Sequence, residues 1–323
     1  VRDRDEPLRH HVLDREQSLP VTAVASRDGR VAGAIMVAIA AIAFSGKAVI
    51  VKLAFRHGVD ALTLLALRMV FSAPLFLVLA MWAAKGEHAA ISPADRRAIV
   101  VLGMLGYYLA SYFDFLGLQY ITAALERLVL FLYPTFVMLL AALFFKRPVS
   151  ARDAMGLALS YVGIVFVVIN DLETQPGNVL LGSAWVALSA LCYAIYLLGS
   201  GRLVQRVGSL RFACFAGLVS CVGVLAHFFI VADFATLVSQ PAAVYWLALL
   251  MAVVSTVMPI ALTAEGIRRI GASHASVIGS LGPVATIVLG FIFLGEQITV
   301  IQVGGAALVL AGVLATTSQR APR

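Results

Sequence analysis

Ten apolar stretches follow one another along this 323-residue chain with only short loops between them. Each is about the length a helix needs to cross a bilayer core of roughly 30 Å at 1.5 Å per residue. They lie near 31–55, 60–83, 98–119, 122–145, 151–170, 179–200, 210–232, 243–264, 273–294 and 299–317. In hydrocarbon every backbone polar group must be satisfied within the protein, so only helices or a closed barrel can span. The ten-residue alternation of a barrel strand is absent, which leaves helices. The expectation is an all-α polytopic membrane protein with ten transmembrane helices. Composition agrees: 61% of residues are hydrophobic and 13% charged, against about 25% charged in a soluble domain. The net charge of +7 does not point to nucleic acid, because the basic residues are sorted by membrane side and not gathered into a patch. Cys192, Cys214 and Cys221 fall in apolar stretches, too few for a disulfide framework or a metal knuckle.

Orientation follows from the same sorting. With the N-terminus inside, the inner segments hold six Arg before Val31, then Lys85, Arg96, Arg97, Lys146, Arg147, Arg152, Arg202, Arg206, Arg211, Arg268, Arg269, Arg320 and Arg323. The outer loops hold Arg56, with Lys52 at the end of the first span, and carry Asp60, Asp171, Glu173, Asp233 and Glu296. Both termini are therefore expected to be cytoplasmic, in a bacterial-type inner (plasma) membrane. Residues 1–30, polar and mixed in charge, read as a disordered cytoplasmic tail and not as a signal peptide. Residues 318–323 read as a second tail.

The chain also matches itself at a constant shift of 149 residues. Gly33 meets Gly182, Val37 meets Val186, Gly117 meets Gly266, Ile121 meets Ile270, Pro134 meets Pro283, Gly156 meets Gly305 and Gly163 meets Gly312. Two five-span repeats result, 31–170 and 182–317, joined by a linker at 171–181 on the periplasmic or extracellular side. Five is odd, so the second copy enters the membrane from the opposite side. The charges agree: Lys146 to Asp153 is basic, and its partner Gly295 to Gln302 has no Lys or Arg. Inverted repeats of this kind rock about a site near the midplane.

Several segments carry a family likeness: Lys47-Ala-Val-Ile-Val-Lys52, Leu62-Thr-Leu-Leu-Ala-Leu-Arg68, Leu132-Tyr-Pro134 to Phe145 with Gly156 to Gly163, and Leu281-Gly-Pro283 to Gly295-Glu296 with Gly305 to Gly312. Over residues 31–317 the chain resembles the drug/metabolite transporter superfamily, EamA type, with two EamA-like repeats. It departs from that pattern at Phe44-Ser45-Gly46, where a Trp-Gly pair is common, and at Lys146-Arg147, where the second repeat keeps the common Gly-Glu as Gly295-Glu296. The resemblance implies export or exchange of small metabolites through a central cavity.

Ionisable groups inside spans are expensive and mark function by default. Lys47, Arg68, Asp114, Glu126 and Arg127 all fall in the outer half of the membrane at similar levels, with Lys52 at the margin. Two readings stand: a polar cluster that binds a substrate carboxylate or gates the outer side, and a structural network or snorkelling to headgroups. Tyr193 and Tyr196, with Ser189 and Ser200, share one face of the sixth span, Tyr108 and Tyr112 one face of the third, and Tyr133 adjoins Pro134. These tyrosines suit a cavity for amphiphilic ligands, and packing between helices with a bonded hydroxyl is the other reading. Pro134 and Pro283, mid-span at matched positions, are candidate hinges.

No HExxH, nucleophile elbow or Walker motif is visible, so no enzyme, catalytic residue, cofactor or metal is expected. The functional expectation is a secondary transporter working by alternating access, with a cavity lined mainly by spans one, three, four, six, eight and nine. Its expected partners are a small-molecule substrate, amino acids or related zwitterions first, the lipid bilayer and a coupling proton at Asp114 or Glu126. A multidrug or other solute permease of the same fold and a non-transporting scaffold or receptor are the alternatives. Oligomeric state is left open.

Overall fold

A computed structural model describes residues 27–84, 91–146, 150–174 and 177–317. The tail at 1–26, the segment at 318–323, Lys85 and Arg147 lie outside the described residues. The spans are α1 (Gly29–Phe55), α2 (Ala61–Ala83), α3 (Pro93–Leu118), α4 (Ala123–Phe145), α5 (Ala154–Glu173), α6 (Val179–Val207), α7 (Ser209–Val231), α8 (Ala242–Gly271), α9 (Val277–Leu294) and the shorter α10 (Val300–Leu314). All ten expected spans are helices. Several run longer than hydropathy indicates. Helix reaches back to Arg27, into the segment expected to be tail. The third span begins at Pro93, not 98, because Ser92 and Asp95 form a capping box that satisfies the first amides of the helix.

Successive helices alternate in direction. We call the end at which α1 begins the near end, and the opposite one the far end. The packing follows the repeat: α1 lies along α8 as α3 lies along α6, α2 pairs with α7, and α5 with α10. Shifting by 149 exchanges each pair with its counterpart or with itself. The glycine contacts show the correspondence atom by atom. A Cβ on Gly33 would lie 2.8 Å from Ile270 Cγ2, and one on Gly182 2.7 Å from Ile121 Cγ2. Likewise a Cβ on Gly117 would lie 2.4 Å from Val186, and one on Gly266 2.4 Å from Val37. Along α5 and α10, Gly163 and Gly305 face each other's carbonyl oxygens at 2.7 and 2.8 Å from the would-be Cβ atoms. Without a hydrophobic drive between helices in lipid, such small-residue seams let backbones approach and pack.

Both candidate hinges sit at real breaks. Helix α4 is interrupted at Phe131 and Leu132 and restarts at Tyr133, and α9 is interrupted at Ser280 and Leu281 and restarts at Gly282. Leu132 N donates to Val129 O at 3.0 Å and Leu281 N to Ile278 O at 3.1 Å, one tightened turn in each repeat. The proline that follows supplies no N–H and starts the next helical segment, which is where proline is tolerated.

A second matched irregularity gives no sequence signal. Met104–Leu109 in α3 and Val253–Val257 in α8 are widened π turns at equivalent positions. In the second, the Thr256 hydroxyl donates to Met251 O, five residues back, at 2.9 Å. Such turns recur at functional sites.

Candidate functional site

Between the repeats lies a cavity of about 440 Å³. Its wall includes Lys47 and Phe44 from α1, Arg68 from α2, Tyr107 and Asp114 from α3, Tyr133 from α4, Tyr193 from α6, Ser209 from α7, Thr256 from α8 and Gly282 from α9. Helices α2 and α7 thus join the six expected. Both breaks and both π turns border it. The lining runs from the charged residues at mid-depth to Ser209, Ile267 and Ala275, which lie at near-end helix termini, and stops at Lys47 on α1 and Asp114 on α3. The cavity therefore faces the near end and is closed toward the far end.

The closed end of the cavity is the charge cluster. Lys47 Nζ donates to Asp114 Oδ2 at 2.6 Å and lies 3.6 Å from Glu126 Oε1. Lys47, Asp114 and Glu126 are 6%, 1% and 0% exposed. Burying three charges together is tolerated because they pair; removing one partner would strand the others. Glu126 packs behind the cavity wall, whereas Lys47 and Asp114 line it. Arg68 and Arg127 also line the cavity. Arg68 Nη2 donates to Ser111 Oγ at 3.0 Å and its guanidinium lies 5.1 Å over the Phe115 ring, while Nε has no partner. Arg127 donates from Nε to Thr286 Oγ1 at 2.9 Å and from Nη2 to the Phe44 carbonyl at 3.1 Å. Neither guanidinium is ion-paired with a carboxylate among the described residues.

The aromatic candidates divide. Tyr133 and Tyr193 line the cavity and meet edge to face at 5.2 Å. Tyr196 stands behind Tyr193, stacked between it and Phe212, and presses so closely on α3 that a Cβ on Gly106 would lie 2.2 Å from its ring. Tyr108 and Tyr112 turn away from the cavity toward α7: Tyr108 Oη is 2.9 Å from His227 Nδ1, and the Tyr112 ring is 5.1 Å from the His227 ring. Tyr107 faces the cavity in their place, on the same helical face as Ser111 and Asp114. Pro134 and Pro283 adjoin the cavity without lining it. Sequence reasoning did not single out Tyr107, Ser111, Ser255 or Thr256; helical spacing back from Asp114 would have found Ser111 and Tyr107, whereas no buried charge on α8 marks Ser255 or Thr256.

Beyond the cluster, the far end is tied by further polar contacts. Glu296, after α9, accepts from Ala123 N at 2.9 Å and Ala124 N at 3.4 Å at the start of α4. Lys52 donates to Ile121 O at 2.6 Å, beyond the end of α3. Asp171 accepts from Thr122 Oγ1 at 3.0 Å and Gln302 Nε2 at 3.4 Å. Burial pushes the Glu296 carboxyl above the usual carboxylate range, against the pull of the Ala123 amide and the Lys52 ammonium.

The EamA-like transporter family model matches residues 31–169 and again 180–318. The chain is 30% identical over 289 residues to a Bacillus subtilis protein described as "Uncharacterized transporter YcbK", covering 87% of this chain and 92% of that one. It is 26% identical over 217 residues to the B. subtilis "Uncharacterized transporter YyaM", covering 67% of this chain and 71% of that one. A solved crystal structure shares the fold, with a TM-score of 0.61 over 89% of this chain and 97% of that chain at 16% identity. Two tandem family matches on a ten-helix membrane protein leave one conclusion: the chain belongs to the EamA-like transporter family, and it is a transporter rather than an enzyme.

Proposed function

We propose that this transporter exports, or exchanges, a small amphiphilic metabolite carrying an anionic group, an amino acid or related zwitterion first, by alternating access of its two repeats. The observation that carries this reading is the charge balance of the cavity. Three cations stand against two carboxylates, and Lys47 is the one both carboxylates hold. Arg68 and Arg127 remain to receive an anion, with Tyr133, Tyr193 and Tyr107 offering apolar faces with polar tips. Asp114 lies beside the same space, where a substrate ammonium would meet it. The matched breaks before Pro134 and Pro283 are the hinges about which the halves exchange. Asp114 and Glu126 are the groups at which a coupling proton would ride.

The test compares the metabolites that accumulate outside cells expressing the wild type or Arg68→Gln at equal membrane level. A carboxylate-bearing class enriched only by the wild type is the expected result. Enrichment of neutral or cationic compounds alone, untouched by Arg68→Gln, would favour a multidrug permease and end the anion reading.

A further inference from the structure

The two ends of this pseudo-symmetric molecule carry different chemistry. At the far end, Lys52, Thr122, Asp171 and Glu296 join α1, α4, α5 and the segment after α9 through the contacts described above. Their equivalents at a shift of 149 are Gly201, Gly271, Arg320 and Arg147. None of these can accept a hydrogen bond through its side chain, so none can offer a side-chain acceptor to the amides of a helix N-terminus.

Both repeats nonetheless end their fourth helix on a left-handed residue. Gly295 ends α9 at φ 72°, and Lys146, its equivalent, ends α4 at φ 52°, the one non-glycine residue with positive φ among those described. That turn folds Glu296 back over the end of α9, where a Cβ on Gly290 would lie 2.9 Å from Glu296 Oε2. The equivalent of Gly290 is the buried Ala141. The first repeat shares the left-handed residue and lacks both the glutamate and the glycine notch that seats it.

We infer that Glu296, seated against Gly290 and bonded to the start of α4, is a one-sided latch that makes the far-closed, near-open form the resting state. It goes beyond the substrate reading and presupposes only that the halves exchange between two forms. When the far end opens, α4 leaves Glu296 and its first amides lose their acceptor. When the near end closes, no equivalent carboxylate meets the amides after Gly271. Glu296 acts through α4 and is a positioning residue.

Hydrogen exchange on the full chain in lipid nanodiscs tests this without any substrate. Glu296→Ala is expected to speed exchange of the Ala123 and Ala124 amides about tenfold, the size of a lost helix cap, with the 272–275 amides no faster than in the wild type. The reverse design, Ala141→Gly with Lys146→Gly and Arg147→Glu, writes the second repeat's latch into the first. It is expected to slow the 272–275 amides and speed those at 123–126, because latching one end opens the other. Exchange at Ala123 and Ala124 within about twofold of wild type in a folded Glu296→Ala protein would overturn the latch. If that variant does not fold, the reverse design decides: unchanged exchange at 272–275 overturns the one-sidedness. No metabolite export by the wild type, with these exchange changes intact, would count against the exporter reading and not against the latch.

Discussion

The far and near ends of this transporter are built from the same repeat and are held in opposite ways. At the far end, buried charges and helix-terminus contacts cross between elements: Lys47 with Asp114 and Glu126, Lys52 on Ile121 O, Glu296 on Ala123 N. Among the described residues, the ion pairs at the near end are peripheral. Arg206 pairs with Asp95 through a side chain 64% exposed, and Glu265 bonds Arg268 and Arg269 one turn away on its own helix. The shared glycine seams give both ends the same backbone approach. The difference teaches that symmetric packing sets which helices touch, while the unsymmetric buried polar contacts gather at the end where the cavity is closed. An exchange between two forms needs only a small bias, since a factor of ten in population is about 1.4 kcal/mol.

The comparison can be broken at several points. The largest effect is expected for Lys47→Ala, which strands two buried carboxylates; a loss of about 3–5 kcal/mol should appear as a lower midpoint in thermal unfolding of the reconstituted protein. A midpoint equal to wild type would show that the cluster does not hold the far end. Next come Gly117→Val and Gly266→Val, equivalent positions at opposite ends. Each overpacks its seam by about 1–3 kcal/mol, and paired unfolding curves should agree if the packing is truly shared. Unequal losses would place an asymmetry in the seams as well as in the charges. Arg68→Gln removes a guanidinium with no carboxylate partner and is expected to weaken retention of a carboxylate-bearing substrate about tenfold, near 1.4 kcal/mol, read as a rise in KM with little change in stability. The smallest effect belongs to Arg206→Ala, whose exposed pair is screened by water. No measurable change in the midpoint is expected, and a clear loss would mean the near end is tied after all.

Much of the fold was legible in the chain. Apolar length and sorted charges reveal the spans, and the 149-residue shift reveals the inversion, because both are properties of the residues and not of their neighbours. The prolines at 134 and 283 announce the breaks because a missing N–H acts locally. Lys47, Asp114 and Glu126 could be singled out as buried charges, yet their pairing across α1, α3 and α4 could not. The tyrosines show the boundary most clearly. Helical period puts Tyr108 and Tyr112 on one face of α3 and Tyr107, Ser111 and Asp114 on another, but only the packing of α3 against its neighbours decides that the first face meets His227 and the second the cavity.

The sequence by itself determined what solvent this chain lives in, how often it crosses, and that its two halves are inverted copies, since hydropathy, charge and self-similarity are written in one dimension. The tertiary structure alone decided which cation is left without a carboxylate, which aromatic faces the cavity and which end is shut. Those depend on distances of a few ångströms between residues far apart in the chain, where a 2.6 Å contact from Lys47 to Asp114 leaves Arg68 and Arg127 to meet whatever enters.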